Sequence, residues 1–260
     1  MGKDSAGQSF WTGMVRRLWM VPLLVGWLTG VGHCATLESL PLLDFNTIHR
    51  EDRVSGGCAV TFDDGPGLHT GQLLDALSRR GIKATFFVLG MQARQYPDLV
   101  RRMIQEGHEV ENHTFDHPDL RKLDVAARER EINETERFLE ELGARPHFLR
   151  PPYGSYDAAL VAEARQKGLQ VVLWSQDSED WKYHTLAAME GHILPAKGGG
   201  GHGIFLFHDI HATTIAAMPT ILDDMAQRGC RFVTVAQWAA EAAAPGQAKG
   251  WLEAFRQLWR

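Results

Sequence analysis

The stretch Thr61-Phe62-Asp63-Asp64-Gly65-Pro66 closes an apolar run that begins at Ala59 and Val60. A short run of this kind stopped by Gly-Pro reads as a buried strand followed at once by a turn. Asp63 and Asp64 then stand at the carboxyl end of a strand, where α/β barrels assemble their active sites. Two adjacent carboxylates cost free energy unless a metal or another cation neutralises one of them. The partner must come from further along the chain.

At 260 residues, 44% hydrophobic and 23% charged, the chain is long enough for one large α/β domain with a sizeable core. A net charge of −5 and the absence of a basic run give no footprint for nucleic acid. Arg16 and Arg17 precede an apolar run from Leu18 to Val31, which is short for a membrane span and flanked as a secretory signal is. Cleavage is expected near Ala35, with an uncleaved signal anchor as the alternative; either way the domain is exported to the periplasm, cell envelope or medium. His33 before Cys34 argues against a lipoprotein signal. Residues 1–35 are thus read as leader, 36–56 as linker, 57–244 as the domain and 245–260 as an amphipathic tail. Trp251, Leu252, Phe255, Leu258 and Trp259 share one helical face in that tail, expected to dock on the domain, or else to lie in a membrane interface. Cys58 and Cys230 each precede an apolar run, on one rim of any barrel. A disulfide between them and two buried thiols are both open.

Between residues 58 and 244 short apolar runs alternate with amphipathic stretches. Strands are expected at 59–62, 84–89, 108–111, 148–149, 171–174, 204–207 and 232–235. Helices are expected between them, several opened by Pro or Asp and closed by Gly81, Gly107 or Gly168. Such alternation predicts a parallel α/β architecture, and about seven units favour a barrel over an open sheet. The four glycines at 198–201 precede a strand, so they are read as a connector and not as a phosphate cradle.

Five polar clusters fall just after five strand ends: Asp63-Asp64, His113 to His117, Arg150 to Tyr153, Asp177 to Trp181, and Leu206 to His208. Each alone is weak; their coincidence on one rim makes the case. His113 and His117 are four apart, so one helical turn is expected to aim both imidazoles the same way. Two histidines and a carboxylate with open positions suit a catalytic Zn²⁺ or a similar divalent ion. Thr114 stands where the helical zinc-protease motif carries Glu, which disfavours a metalloprotease.

In order and in residue type the five clusters resemble the motifs of the polysaccharide deacetylase (NodB-homology) family, carbohydrate esterase family four, over roughly Gly57 to Ala240. The resemblance implies a deformed (β/α) barrel of about seven parallel strands and removal of acetyl groups from acetylated glycans. It implies Asp64, His113 and His117 as ligands of a divalent metal, foremost Zn²⁺, with Co²⁺, Ni²⁺ or Fe²⁺ as alternatives. Asp63 would be the general base, with Arg150 orienting it, and His208 the general acid, held by Asp180. Tyr153 would offer its backbone N–H to the oxyanion, and Trp181 and Leu206 would line a pocket for the acetyl methyl. The role of Asp177 is less defined. Where the family often has glycine this chain has Glu111, expected to border the site at its rim.

The expected partner is therefore an acetylated polysaccharide or oligosaccharide: peptidoglycan, chitin oligosaccharide or poly-N-acetylglucosamine. An O-acetyl esterase acting on xylan is the nearest alternative. A glycan-binding barrel without turnover is the alternative from another class, and the intact Asp63, His113, His117 and His208 argue against it.

Overall fold

The computed structural model describes residues 57–194 and 202–242. The leader, the linker, the glycine run at 198–201 and the tail at 245–260 lie outside the described residues. The described residues form eight strands: β1 (Gly57–Asp63), β2 (Thr85–Val88), β3 (Glu109–Asn112), β4 (Phe148–Leu149), β5 (Gln170–Val171), β6 (Gln176–Asp177), β7 (Gly203–His208) and β8 (Arg231–Val233). Every pairing is parallel. Seven strands lie on one path, β5-β4-β3-β2-β1-β7-β6, and β8 joins it on β1. Among the described residues no pairing closes β5 onto β6, so the barrel is deformed, as expected.

The apolar run that opened the reading is the central strand. β1 is buried along its whole length. Side chains alternate across a strand, so the two faces of β1 serve different cores. Cys58, Val60 and Phe62 pack outward against the helices. Ala59 packs inward with Phe87, Phe148, Val172, Ile204 and Trp238, and Thr61 and Asp63 follow it into the barrel. β7 accompanies β1 from Cys58 to Asp63. Along β1, the register with β8 covers Gly57–Ala59 and that with β2 covers Thr61–Asp63.

The α-helices of the described residues are α1 (Thr70–Arg80), α2 (Gly90–Gln95), α3 (Pro97–Gln105), α4 (Val125–Glu141), α5 (Ala158–Gln166), α6 (Leu186–Ile193), α7 (Ala212–Gln227) and α8 (Val235–Ala242). α1 and α7 bury Leu73, Leu74, Leu77, Met218, Ile221 and Leu222 against the outward face of β1. α4 and α5 cover β4 and β5 through Ile132, Leu149, Leu160 and Val171. α8 plugs the amino end of the barrel with Trp238, and its Val235 N–H donates to Thr85 Oγ1 at 2.9 Å. The sequence pattern did not announce β6, α2 or α8. The first two are too short and too polar to show a period, and α8 reads as a continuation of the last apolar run.

Cys58 and Cys230 are joined in a disulfide, Cα atoms 5.8 Å apart across 172 residues of chain. The bond lies at the amino end of β1. Asp63 is five residues along that strand, roughly 17 Å away at a strand's rise.

Candidate metal and catalytic centre

β1 ends by turning its two carboxylates apart. Asp63 continues the strand and points into the barrel, whereas Asp64 takes φ 72, a conformation that non-glycine residues adopt at a cost. A Cβ on Gly65 would sit 2.0 Å from Asp209 Oδ1, so only glycine fits where the chain leaves the strand. Asp209 is buried and accepts a 2.6 Å hydrogen bond from Thr70 Oγ1, which ties this turn to α1. Burial pushes the Asp209 carboxyl up to about 7.

Asp64 Oδ1 lies 3.4 Å from His113 Nε2 and 3.4 Å from His117 Nε2. It has no hydrogen-bond partner although it is buried. Burial pushes its carboxyl upward, but the imidazoles around it, His113 foremost with His208 and His117, outweigh burial and hold it near 2. One atom from each of the three residues falls within 4.8 Å of the others, which is the spacing a metal ion requires. His113 Nδ1 is 2.6 Å from the Arg150 carbonyl oxygen, which can only accept. Nδ1 is therefore protonated, and Nε2 presents its lone pair toward Asp64, the arrangement typical of a ligating histidine. Burial lowers the affinity of His117 for a proton, as does His113 beside it.

The two histidines do not share a helical turn. His113 follows β3 directly, and Thr114 and His117 have φ 73 and 67, so a tight loop aims both rings. Three side chains shape it. Asn112 Oδ1 accepts from Thr114 N–H at 2.8 Å, Glu131 of α4 accepts from Phe115 and Asp116 N–H at 2.9 and 3.1 Å, and Thr114 Oγ1 accepts from His117 N–H at 3.2 Å. From the other side, Gly90 and Met91 N–H donate to Thr114 and Phe115 carbonyls at 3.0 Å. A Cβ at Gly90 would meet Phe115 at 2.5 Å and Thr135 Oγ1 at 2.7 Å. Gly90→Ala is therefore expected to cost about 1–3 kcal/mol of stability, the usual range for overpacking, and to weaken metal binding by displacing the loop. Thermal denaturation and metal titration of the variant check both.

Arg150, just beyond β4, is wholly buried. Its Nη1 donates to Asp63 Oδ1 and to Thr61 Oγ1, both at 2.7 Å, and its Nη2 to the Leu173 carbonyl at 3.0 Å. The guanidinium stacks 3.9 Å from the Phe87 ring centroid. Thr61 Oγ1 in turn donates to the Phe205 carbonyl at 2.8 Å. With Oδ1 committed to Arg150, Asp63 Oδ2 faces His113 Nε2 at 3.7 Å.

β1 and β7 are paired so that Asp63 stands opposite His208. His208 Nδ1 donates to Asp180 Oδ1 at 2.7 Å, and Asp180 Oδ2 accepts from His208 N–H and from Thr214 Oγ1, each at 2.8 Å. Burial alone would push the His208 proton off, but the Asp180 contact outweighs it and, with Asp63 and Asp64, raises the imidazole to about 9. Asp180 is pushed up by burial and held below the ordinary carboxylate range by His208. Asp177 Oδ1 caps the turn that follows β6, accepting from Glu179 N–H at 2.8 Å.

Tyr153 has φ 61 and its ring centroid lies 4.6 Å from that of His117. Its side chain is otherwise open, 70% of the residue being exposed. Leu206 is buried, two residues before His208 on the same face of β7, and Trp181 is half exposed. Glu111 does not border the rim. It points into the barrel and accepts backbone N–H bonds from His147 and Phe148 at 2.6 and 2.7 Å, fastening the start of β4, and burial raises its carboxyl well above the ordinary range. Asn112, Glu131, Thr61, Thr214 and Asp209 were not singled out from the sequence as functional. Of these only Asn112, Asp209 and Thr61 carried a signal, the first two adjoining a cluster residue and Thr61 lying two before Asp63 on the same strand.

Residues 51–172 match the sequence profile described as polysaccharide deacetylase. A peptidoglycan-N-acetylglucosamine deacetylase of Bacillus cereus is 37% identical over 186 residues, which span 69% of this chain and 86% of that protein. The chain belongs to the polysaccharide deacetylase family. A second relative of this family, a peptidoglycan-N-acetylglucosamine deacetylase of Listeria monocytogenes, is 40% identical over 179 residues, 68% of this chain but only 37% of that protein. The chain thus spans well under half the length of that relative. The solved structure of a peptidoglycan deacetylase from Bacillus subtilis superimposes with a TM-score of 0.65 at 35% identity, covering 80% of this chain and 98% of that one.

Proposed function

We propose that this polysaccharide deacetylase family member removes acetyl groups from N-acetylglucosamine residues of a cell-envelope or extracellular glycan, as a metal-dependent amidohydrolase. One observation carries the reading. A buried carboxylate fixed by arginine and an imidazole held protonated by aspartate stand opposite each other on paired strands, with the Asp64, His113 and His117 triad beside them.

Asp64 Oδ1 and the Nε2 atoms of His113 and His117 would hold a divalent ion, and the orphaned, buried Asp64 oxygen fits that role. Two imidazoles and one carboxylate suit Zn²⁺ first, and also Co²⁺, Ni²⁺ or Fe²⁺. Such an ion supplies a lowered pKa for water and polarises the acetyl carbonyl. Asp63 Oδ2 takes the proton of the attacking water, while Arg150 holds Oδ1 and keeps the carboxylate ionised and aimed. The Tyr153 N–H donates to the developing oxyanion. His208 gives its Nε2 proton to the departing amine, with Nδ1 bound to Asp180 throughout. Leu206 and Trp181 enclose the methyl group. The apolar leader with its Arg-Arg flank supports export to the compartment where such glycans lie, and the relatives whose names specify peptidoglycan support an envelope polymer.

Acetate release from N-acetylglucosamine oligomers, peptidoglycan and acetylated xylan, with and without chelator and added Zn²⁺, tests the proposal. Metal-dependent release from an N-acetylated polymer is the expected result. Release from acetylated xylan alone would make the protein an O-acetyl esterase, and release that survives chelation would remove the metal. His117→Ala is expected to weaken metal binding by more than about 100-fold, beyond the usual cost of disturbing a ligand's outer partners; metal analysis of the purified variant reads it directly.

A further inference from the structure

β1 and β7 end level, with Asp63 opposite His208, so the next residues of the two strands are Asp64 and Asp209. Asp64 turns toward the histidines, whereas Asp209 turns under the chain that leaves β1. Its carboxylate fills the place that a side chain on Gly65 would take: a Cβ there would lie 2.0 Å from Oδ1 and 2.2 Å from Oδ2. A Cβ on Gly67 would lie 3.3 Å from the Ile210 Cα and 3.5 Å from the Asp209 carbonyl oxygen. Two glycines thus let this turn settle directly on the residues after β7. Asp209 is wholly buried, and it is not among the three residues whose atoms converge for a metal.

Hydrogen bonds close this contact into a latch. Thr70, the first residue of α1 and wholly buried, donates from Oγ1 to Asp209 Oδ2 at 2.6 Å. The same oxygen accepts from Gly67 N–H at 2.7 Å, and the Gly67 carbonyl accepts from Thr70 N–H at 3.2 Å. From the far side Leu89 N–H donates to the Gly65 carbonyl at 3.2 Å, and the next two residues hold the histidine loop. The turn that aims Asp64 is therefore fixed between the end of β7 and the segment that supports His113 and His117. Asp209 Oδ1 has no hydrogen-bond partner. A buried oxygen left unpaired costs folding free energy, and an apolar side chain of similar shape would avoid that cost. It could not reach Thr70 with an acceptor, however, and a local rule broken beside a reaction centre points to function.

We propose that Asp209 is a positioning residue for the metal centre: through Thr70 and the Gly65–Gly67 turn it sets where Asp64 stands relative to His208. The inference rests on the reading of Asp64, His113 and His117 as metal ligands. Asp209 acts through the backbone and needs no contact with ion or substrate. At φ 72 Asp64 is held by its surroundings and not by its own preference, so a loosened turn lets it relax. The two imidazoles have separate supports in Asn112 and Glu131. Loss of the latch therefore moves the carboxylate away from the histidines, and the effect falls on metal affinity and coordination geometry.

The test titrates Zn²⁺ into the metal-free protein by calorimetry and records the visible absorption of the Co²⁺-loaded protein, whose bands follow coordination geometry. Thr70→Val keeps the shape of the side chain and removes the hydroxyl. It is expected to weaken Zn²⁺ binding by about 10-fold, the lower range for an outer partner of a metal ligand, and to shift the Co²⁺ bands. Thr70→Ser keeps the hydroxyl and should return both to the wild-type values. Asp209→Ala should go further, toward about 100-fold, and Thr70→Val decides the question even where Asp209→Ala does not fold. Thermal denaturation of the metal-free proteins separates a general loss of stability from the local effect. A lower Tm with unchanged affinity and unchanged bands would make Asp209 and Thr70 structural only and overturn the inference. Equal losses in Thr70→Val and Thr70→Ser would overturn it too. A wild-type protein that binds no Zn²⁺ would remove the metal centre and the inference with it, a failure distinct from the other two.

Discussion

Asp63→Asn is expected to lower turnover by about 10²–10⁴-fold, the usual contribution of a positioned general base, while the variant still binds metal. The separation follows from the geometry at the end of β1. The amide cannot take a proton at the oxygen facing His113, whereas Asp64, His113 and His117 are untouched. The same change has a structural consequence. Arg150 is wholly buried and Asp63 is its carboxylate, so the substitution leaves a guanidinium in the barrel with only Thr61 Oγ1, the Leu173 carbonyl and an amide oxygen as acceptors. Removing one partner of a buried ion pair costs about 3–5 kcal/mol, and the retained acceptors place the expected loss at the lower end. Metal content, acetate release and thermal denaturation of one preparation read the three effects together. Turnover within tenfold of wild type would remove Asp63 as the base; loss of metal would make it a ligand.

Asp180→Asn acts from the opposite side. His208 is raised to about 9 because the hydrogen bond and charge of Asp180 outweigh the effect of burial. A general acid works while protonated, so activity is lost as pH rises through its pKa, and a bound cation nearby would draw that limb somewhat below 9. Without the Asp180 carboxylate, burial is left to push the imidazole down. The alkaline limb of kcat should then move toward acid by more than about one pH unit, with kcat near neutrality reduced by about 10²-fold, the lower range for an acid catalyst. An unshifted limb would mean that His208 is not the group titrating there. Thr214→Val provides the graded comparison. It removes one of the two hydrogen bonds to Asp180 Oδ2 and leaves the ion pair, so a smaller shift in the same direction is expected.

Much of this centre was legible before any coordinates. Strand propensity and the Gly-Pro stop located β1, and the rule that barrel sites form at strand carboxyl ends put Asp63, Asp64, His113, Arg150 and His208 on one rim. That inference needs only the alternation of apolar runs, because a parallel barrel sends every strand's end to the same side. For the same reason Cys58 and Cys230, both at strand starts, had to share the other rim. Their bonding was a matter of distance, which the chain pattern does not contain.

What only the tertiary structure decided is how the histidines converge and what surrounds the arginine. A spacing of four suggested a helical turn for His113 and His117. The loop that forms instead depends on Glu131, which is 14 residues beyond His117, and on Gly90, which is 23 before His113. Glu111 shows the same limit: its place next to a motif suggested the rim, and its partners across β4 hold it in the interior. The sequence by itself determined that the polar clusters gather at one end of a parallel barrel, because local pattern and chain direction suffice for that. The aim of each side chain and the pairing of Arg150 with Asp63 come from contacts between distant segments, and those exist only once the strands are in register.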